Sequence, residues 1–194
     1  MKSKHLLLTL LLAIGLPWVA NAQDLTVCDG SAPGTTTSTN QYIPVYGYMA
    51  DTKDYTSEFI IPSADLASIN GMDITKLTFY LSTSASEAWT ATFKVYMKEV
   101  ENTTITSMTG PNTSTVVYTG TLDASNSTMV VNFDDNYTYN GGNLLIGTTI
   151  TVKGNWKSAT FSGISAAEGS SAYASSPTSS YPTKQSFLPK TTFT

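Results

Sequence analysis

Apolar and polar side chains alternate most cleanly at two places in this chain. Leu77, Phe79 and Leu81 interleave with Lys76, Thr78 and Tyr80, and Phe93, Val95 and Met97 interleave with Lys94, Tyr96 and Lys98. A period of two puts one set on a buried face and the other on a wet face, as in antiparallel sheets covered on one side. Short apolar runs bounded by turn-forming residues extend the pattern. They predict strands at Leu25–Cys28, Ile43–Met49, Ser57–Ile61, Ile74–Leu81 and Thr90–Val100. Further strands are predicted at Thr115–Tyr118, Met129–Phe133, Leu144–Val152, Lys157–Phe161 and Phe187–Phe193. One segment carries helical signals instead: Ser63 offers an N-cap, Asp65 suits a first turn, Leu66 and Ile69 share a face, and Asn70-Gly71 closes it. Tyr139–Asn143 contains Asn140-Gly141 and reads as a tight hairpin turn. Gly30–Asn40 and Gly169–Thr183 are rich in Ser, Thr, Gly and Pro and read as long surface loops. The pattern predicts an all-β fold, an antiparallel two-sheet β-sandwich of jelly-roll type with one short helix.

The N-terminus follows a different rule. Lys2 and Lys4 precede an apolar run from Leu6 to Leu16, Pro17 breaks it, and Ala20-Asn21-Ala22 supplies small residues at −3 and −1. This is the layout of a secretory signal peptide cleaved after Ala22, and the run is too short to span the roughly 30 Å hydrocarbon layer of a bilayer. Residues 1–22 are therefore read as signal and 23–194 as a single β-sandwich domain, with no membrane span. The chain stops at Thr194 inside an apparent strand, which raises the expectation of further modules downstream.

Composition narrows the chemistry of the mature part. Eight of the ten lysines and all fourteen acids remain after cleavage, so the formal charge moves from −4 to −6, and arginine is absent. That balance argues against nucleic acid as a partner, since phosphate recognition needs concentrated positive charge. The only histidine, His5, leaves with the signal, and Cys28 is the only cysteine. No Ser-His-Asp or Cys-His nucleophile pair, no His/Cys zinc site and no internal disulfide can be assembled from what is left. Cys28, flanked by Val27, reads as a small buried apolar residue.

Four segments together carry a family resemblance: WTATFKVYMKEV at Trp89–Val100, YTYNGGNLLIG at Tyr137–Gly147, KGNWKS at Lys153–Ser158 and FLPKTTF at Phe187–Phe193. They resemble an N-terminal module of secreted, multidomain surface proteins of Bacteroidetes-type bacteria, similar in style to the jelly-roll adhesin domains of gingipains and haemagglutinins. The resemblance implies a β-sandwich with an adhesion or carbohydrate-binding role, displayed on the outer surface or secreted. It carries over no catalytic residue.

Aromatic residues at loop–strand junctions are the candidate ligand contacts, because flat rings stack on sugar faces and add area with little rotamer entropy. They are Trp89, Trp156, Tyr46, Tyr48, Tyr137 and Tyr139. Asp134 and Asp135 with Asn136, and Asp51 with Asp54, are clusters of hard oxygen ligands, the candidates for structural calcium. No other cofactor is expected. A glycoside hydrolase needs only two carboxylates, so Glu58, Glu87, Glu99, Glu101 and Glu168 keep that alternative open; Glu99 shares the alternation of Phe93, Val95 and Met97.

The function expected is a non-catalytic extracellular binding module for glycans or host surface proteins. A structural spacer of a larger surface protein is the first alternative, and a carboxylate-dependent glycosidase the second.

Overall fold

The computed structural model describes residues 24–194, so the expected signal peptide lies outside the described residues. Thirteen strands follow in chain order: β1 (Leu25–Val27), β2 (Thr37–Asn40), β3 (Thr56–Ile61), β4 (Asp73–Thr83), β5 (Thr92–Val100), β6 (Thr115–Gly120) and β7 (Thr128–Thr138). The rest are β8 (Asn143–Val152), β9 (Thr160–Ser165), β10 (Ser171–Ala174), β11 (Thr183–Gln185), β12 (Phe187–Pro189) and β13 (Thr191–Phe193). All pairings are antiparallel. The first sheet runs β1-β13-β4-β9-β12, with β7 also on β4 and β2 also on β9; the second runs β11-β10-β3-β8-β5-β6. Among the described residues no helix is long and apolar enough to cross a membrane.

The two sheets pack as a sandwich, and the alternating strands supply its core. Leu77 and Phe79 from β4 meet Phe93, Val95 and Met97 from β5, together with Phe59, Ile61, Ile146, Phe161 and Phe193. Burying such side chains contributes roughly 1.5–3 kcal/mol each. On β4 the opposite face is only partly covered, as expected. On β5 it is not uniformly wet, because Tyr96 is wholly buried. A second, smaller apolar cluster of Ile60, Tyr96, Ile105, Met108 and Leu145 covers the outer face of the second sheet beneath the long connection from β5 to β6.

Several expectations are corrected by the backbone. The one helix, Ser63–Ile69, is a 3-10 helix whose N-cap is Pro62 with no side-chain cap bond, so Ser63 lies inside it. Two further single 3-10 turns occur at Gly47–Met49 and Pro111–Thr113. Asn140-Gly141 does not close a hairpin: β7 pairs within the first sheet and β8 within the second, so the turn carries the chain between layers, with Gly141 at φ +100°. The stretches read as loops contain β2 and β10, and β11 starts at the end of the second; their sequences are TSTN, SAYA and TKQ. β2 and β11 are held by ladder bonds and lack an apolar face of their own, while β10 turns only the small Ala172 and Ala174 into the second apolar cluster. Ile43–Met49 is not a strand. The predicted strand at Lys157–Phe161 begins only at Thr160, and Phe187–Phe193 is split at Lys190. The final strand β13 is nevertheless fully integrated, paired with β1 on one side and β4 on the other.

Candidate functional site

The site is built on the connector between β2 and β3. Asn40 accepts the amides of Tyr42 at 2.7 Å and Ile43 at 3.2 Å through Oδ1, turning the chain as β2 ends. Ser57 on β3 donates its hydroxyl to the Tyr42 carbonyl at 2.6 Å, and Thr148 on β8 donates to the Pro44 carbonyl at 2.8 Å. These hydroxyls share the core-facing side of the second sheet with Phe59 and Ile146, so they tether the connector across one end of the sandwich. Pro44 has no amide to donate to a ladder, and the apolar Ile43–Met49 run forms none.

The chain then makes the 3-10 turn Gly47–Met49, and Trp89 decides its position. The Trp89 indole is 1% exposed and lies directly against Gly47, where any Cβ would run into the ring. Its Nε1 donates to the Lys157 carbonyl at 2.9 Å, and the Lys157 amide donates to the Gly47 carbonyl at 3.4 Å. Gly154 donates to the Ala50 carbonyl at 2.8 Å. Asn155 locks the same strap from the other side, its Oδ1 accepting the Thr90 amide at 2.6 Å. One buried indole therefore joins two loops that are far apart in sequence.

What those loops present is an exposed aromatic pair. Tyr48 is 48% exposed and Trp156 52% exposed, with ring centroids 5.0 Å apart and planes at 61°. Met49, Asp51 and Thr52 complete a shallow depression of about 170 Å³ beside them. Tyr46 sits behind Tyr48 at 6.5 Å, and Tyr42, Tyr55 and Tyr173 surround Tyr46 at 4.8, 5.7 and 5.2 Å. Burial, and then the neighbouring phenols of Tyr42, Tyr173, Tyr55 and Tyr48, raise the Tyr46 phenol above its ordinary value.

Three of the six aromatic candidates, Tyr46, Tyr48 and Trp156, thus come together. Trp89 stands behind them in the core. Tyr137 and Tyr139 are buried at the far strand, the Tyr139 hydroxyl donating to the Gly142 carbonyl at 2.7 Å. Burial, followed by the charge of Glu99, pushes the Tyr137 phenol up to about 12. The residues missed from sequence are Tyr42, Tyr55 and Tyr173. Tyr173 lies in the Ser-rich stretch Gly169–Thr183 that reads as a loop, where the only alternation is that of two alanines, Ala172 and Ala174.

The carboxylates do not gather. Among the described residues no group of three or more His, Cys, Asp and Glu is placed to hold a metal ion. Asp134 and Asp135 belong to an outward bulge of β7 between Asn132 and Tyr137, and Asp134 accepts the Thr119 amide of β6 at 2.9 Å. Asp51 accepts the Thr52 hydroxyl at 3.2 Å, and Asp54 donates its amide to the Ile150 carbonyl at 2.8 Å.

Three of the five glutamates, Glu99, Glu87 and Glu58, are engaged by their own chain. Glu99 accepts the amides of Asn140 at 2.8 Å and Gly142 at 2.7 Å, fixing the inter-sheet turn; its desolvation is outweighed by these bonds, and its carboxyl is held below the usual value. Glu87 pairs with Lys157 at 3.0 Å on the surface. Glu58 is wholly buried and accepts the Tyr96 hydroxyl at 2.7 Å and the amides of Thr109 at 3.0 Å and Gly110 at 2.8 Å. Burial raises the Glu58 carboxyl despite those bonds. Its geometry is that of a pin for the β5–β6 connection.

Cys28 is only partly buried, with φ +56° at the end of β1, and desolvation followed by Asp65 and Asp29 pushes its thiol up to about 12. Compared with known protein families, curated proteins and solved structures, the chain matches none.

Proposed function

We propose that this domain is a non-catalytic extracellular binding module that takes glycans on the Tyr48–Trp156 face, exported by the signal peptide at 1–22 and displayed in the manner of the adhesin-like modules it resembles. The observation that carries the reading is an exposed Tyr–Trp pair held by a buried framework. Aromatic rings in contact with one another and fixed at loop ends offer flat apolar faces on which sugars stack. Asp51 and Thr52 beside the rings supply the acceptor and hydroxyl that sugar hydroxyls need. Rigid backing by Trp89 and Asn155 reduces the entropy lost on binding.

The test is retention of the folded domain on a printed glycan array. Wild-type protein is expected to mark a defined subset of glycans, and Tyr48→Ala and Trp156→Ala each to weaken that binding about tenfold or more, as for an aromatic anchor. A folded wild-type sample that marks no glycan overturns the proposal.

A further inference from the structure

The aromatic pair is one end of a longer row. From Tyr173 the rings step to Tyr42 at 4.6 Å, to Tyr46 at 4.8 Å, to Tyr48 at 6.5 Å and to Trp156 at 5.0 Å, with Tyr55 flanking Tyr46 at 5.7 Å. Each step is of the order of one sugar ring. Tyr42, Tyr46, Tyr55 and Tyr173 are partly exposed, and Tyr42, Tyr55 and Tyr173 pack against the margin of the core.

The hydroxyls of this row are not taken up by any described residue, unlike those of four other tyrosines. Tyr80, Tyr96, Tyr118 and Tyr139 each bond to Thr192, Glu58, the Thr121 carbonyl and the Gly142 carbonyl. Among the described residues no protein group bonds the hydroxyls of Tyr42, Tyr46, Tyr48, Tyr55 or Tyr173, and none of these oxygens is buried without a partner. Five phenols on one surface therefore keep both donor and acceptor capacity for a ligand. Charge restricts that ligand further. The depression at Tyr48 and Trp156 is lined by one acid, Asp51, and no base, and the nearby Lys157 is already paired with Glu87. A glycan bearing carboxylates or sulfates would meet like charge there, and no guanidinium exists in the chain to receive it.

Resting on the glycan-binding reading above, we infer that the ligand is an uncharged, linear oligosaccharide laid along the row, stacked at Tyr48–Trp156 and hydrogen-bonded onward by Tyr46, Tyr42 and Tyr173. A single terminal sugar would use only the first end. An extended chain reaches more hydroxyls with each added ring.

Calorimetric titration with uncharged linear gluco-, xylo- and manno-oligosaccharides, from disaccharide to hexasaccharide, tests this. For the sugar series that binds, affinity is expected to rise about tenfold or more along the series, which is at least about 1.4 kcal/mol. The double variant Tyr42→Phe/Tyr173→Phe keeps both rings and loses only their hydroxyls, so it is expected to bring the hexasaccharide-to-disaccharide affinity ratio down several-fold. Its thermal midpoint and near-ultraviolet circular dichroism confirm that it folds. Binding that is equal for short and long chains, or tighter for uronate or sulfated chains, overturns this inference and leaves the binding proposal standing. A poly-L-proline peptide that binds the row in place of sugars, or no binding to any glycan, overturns both.

Discussion

Trp89 and Lys157 are joined by a hydrogen bond from the buried indole nitrogen to the backbone carbonyl, 2.9 Å long, and this bond links the core to the strap that carries Trp156. Trp89, one of the six aromatic candidates in the sequence, thus stands behind the exposed pair as its support. Stability and ligand binding should therefore respond to it together.

Trp89→Phe keeps most of the apolar volume and orphans the Lys157 carbonyl. It is expected to destabilise the domain by about 1–3 kcal/mol. Trp89→Ala should cost about 3–5 kcal/mol, because it adds a cavity. Urea unfolding measures both. A Phe variant as stable as the wild type would show that the bond holds nothing in place.

Tyr48 and Trp156 should behave in the opposite way. Both are half exposed, so replacing either by alanine is expected to change stability by no more than about 0.5 kcal/mol while binding falls. Thermal denaturation of the single variants decides the point, and a large loss of stability would place these rings in the structural framework.

Glu58→Ala removes the acceptor for Tyr96, Thr109 and Gly110 at once. Each orphaned buried donor costs about 1–3 kcal/mol unless water reaches it. The expected signature is local: amide hydrogen exchange at Thr109 and Gly110 accelerates far more than exchange in β4 or β5. Uniform acceleration across the sheets would contradict the picture of a pin.

The acid limb of the stability curve should expose Glu99. Its folded value lies below the ordinary glutamate value of 4.5, so the charged form is favoured by folding. That contribution is fully present above 4.5 and is lost as pH falls through the lower folded value. Glu99→Gln is expected to narrow the stability gap between neutral and acidic pH. Glu58 works in the other sense: its raised folded value means protonation favours the folded state as pH falls through it towards 4.5. The two substitutions should shift the acid limb in opposite directions in paired chemical-denaturation series.

Cys28, with its thiol pushed up to about 12, remains protonated at neutral pH and should alkylate much more slowly than a free thiol. Timed iodoacetamide labelling followed by mass spectrometry reads this directly. Labelling at the rate of the unfolded chain would refute it.

The sandwich was legible because β4, β5 and β8 announce themselves through apolar side chains, and those strands are central. What escaped was set by other forces. β2, β10 and β11 are short and carry no large aliphatic side chain, so their place comes from neighbours, as Tyr173 pairs with Ser57 and Thr183. The Ile43–Met49 run has strand composition but is fixed by Asn40, Ser57 and Thr148, none within it. At the site, Tyr46, Tyr48 and Trp156 carried a readable signal as aromatics near turns. The same signal marked Trp89, Tyr137 and Tyr139, because a period of two cannot say whether a ring at a junction faces water or Gly47.

The pairing of β1 with β13 brings Leu25 beside Phe193, the near ends of the described chain. Since β13 also completes the flank of β4, the first sheet lacks an interior member until Thr191–Phe193 are in place. Most connections also pass between layers, so few contacts can form early and folding should be slow. Until β13 is in place, β1 and the adjoining edge of β4 both stand without a partner, so the closing of the first sheet waits on contacts between segments far apart in sequence.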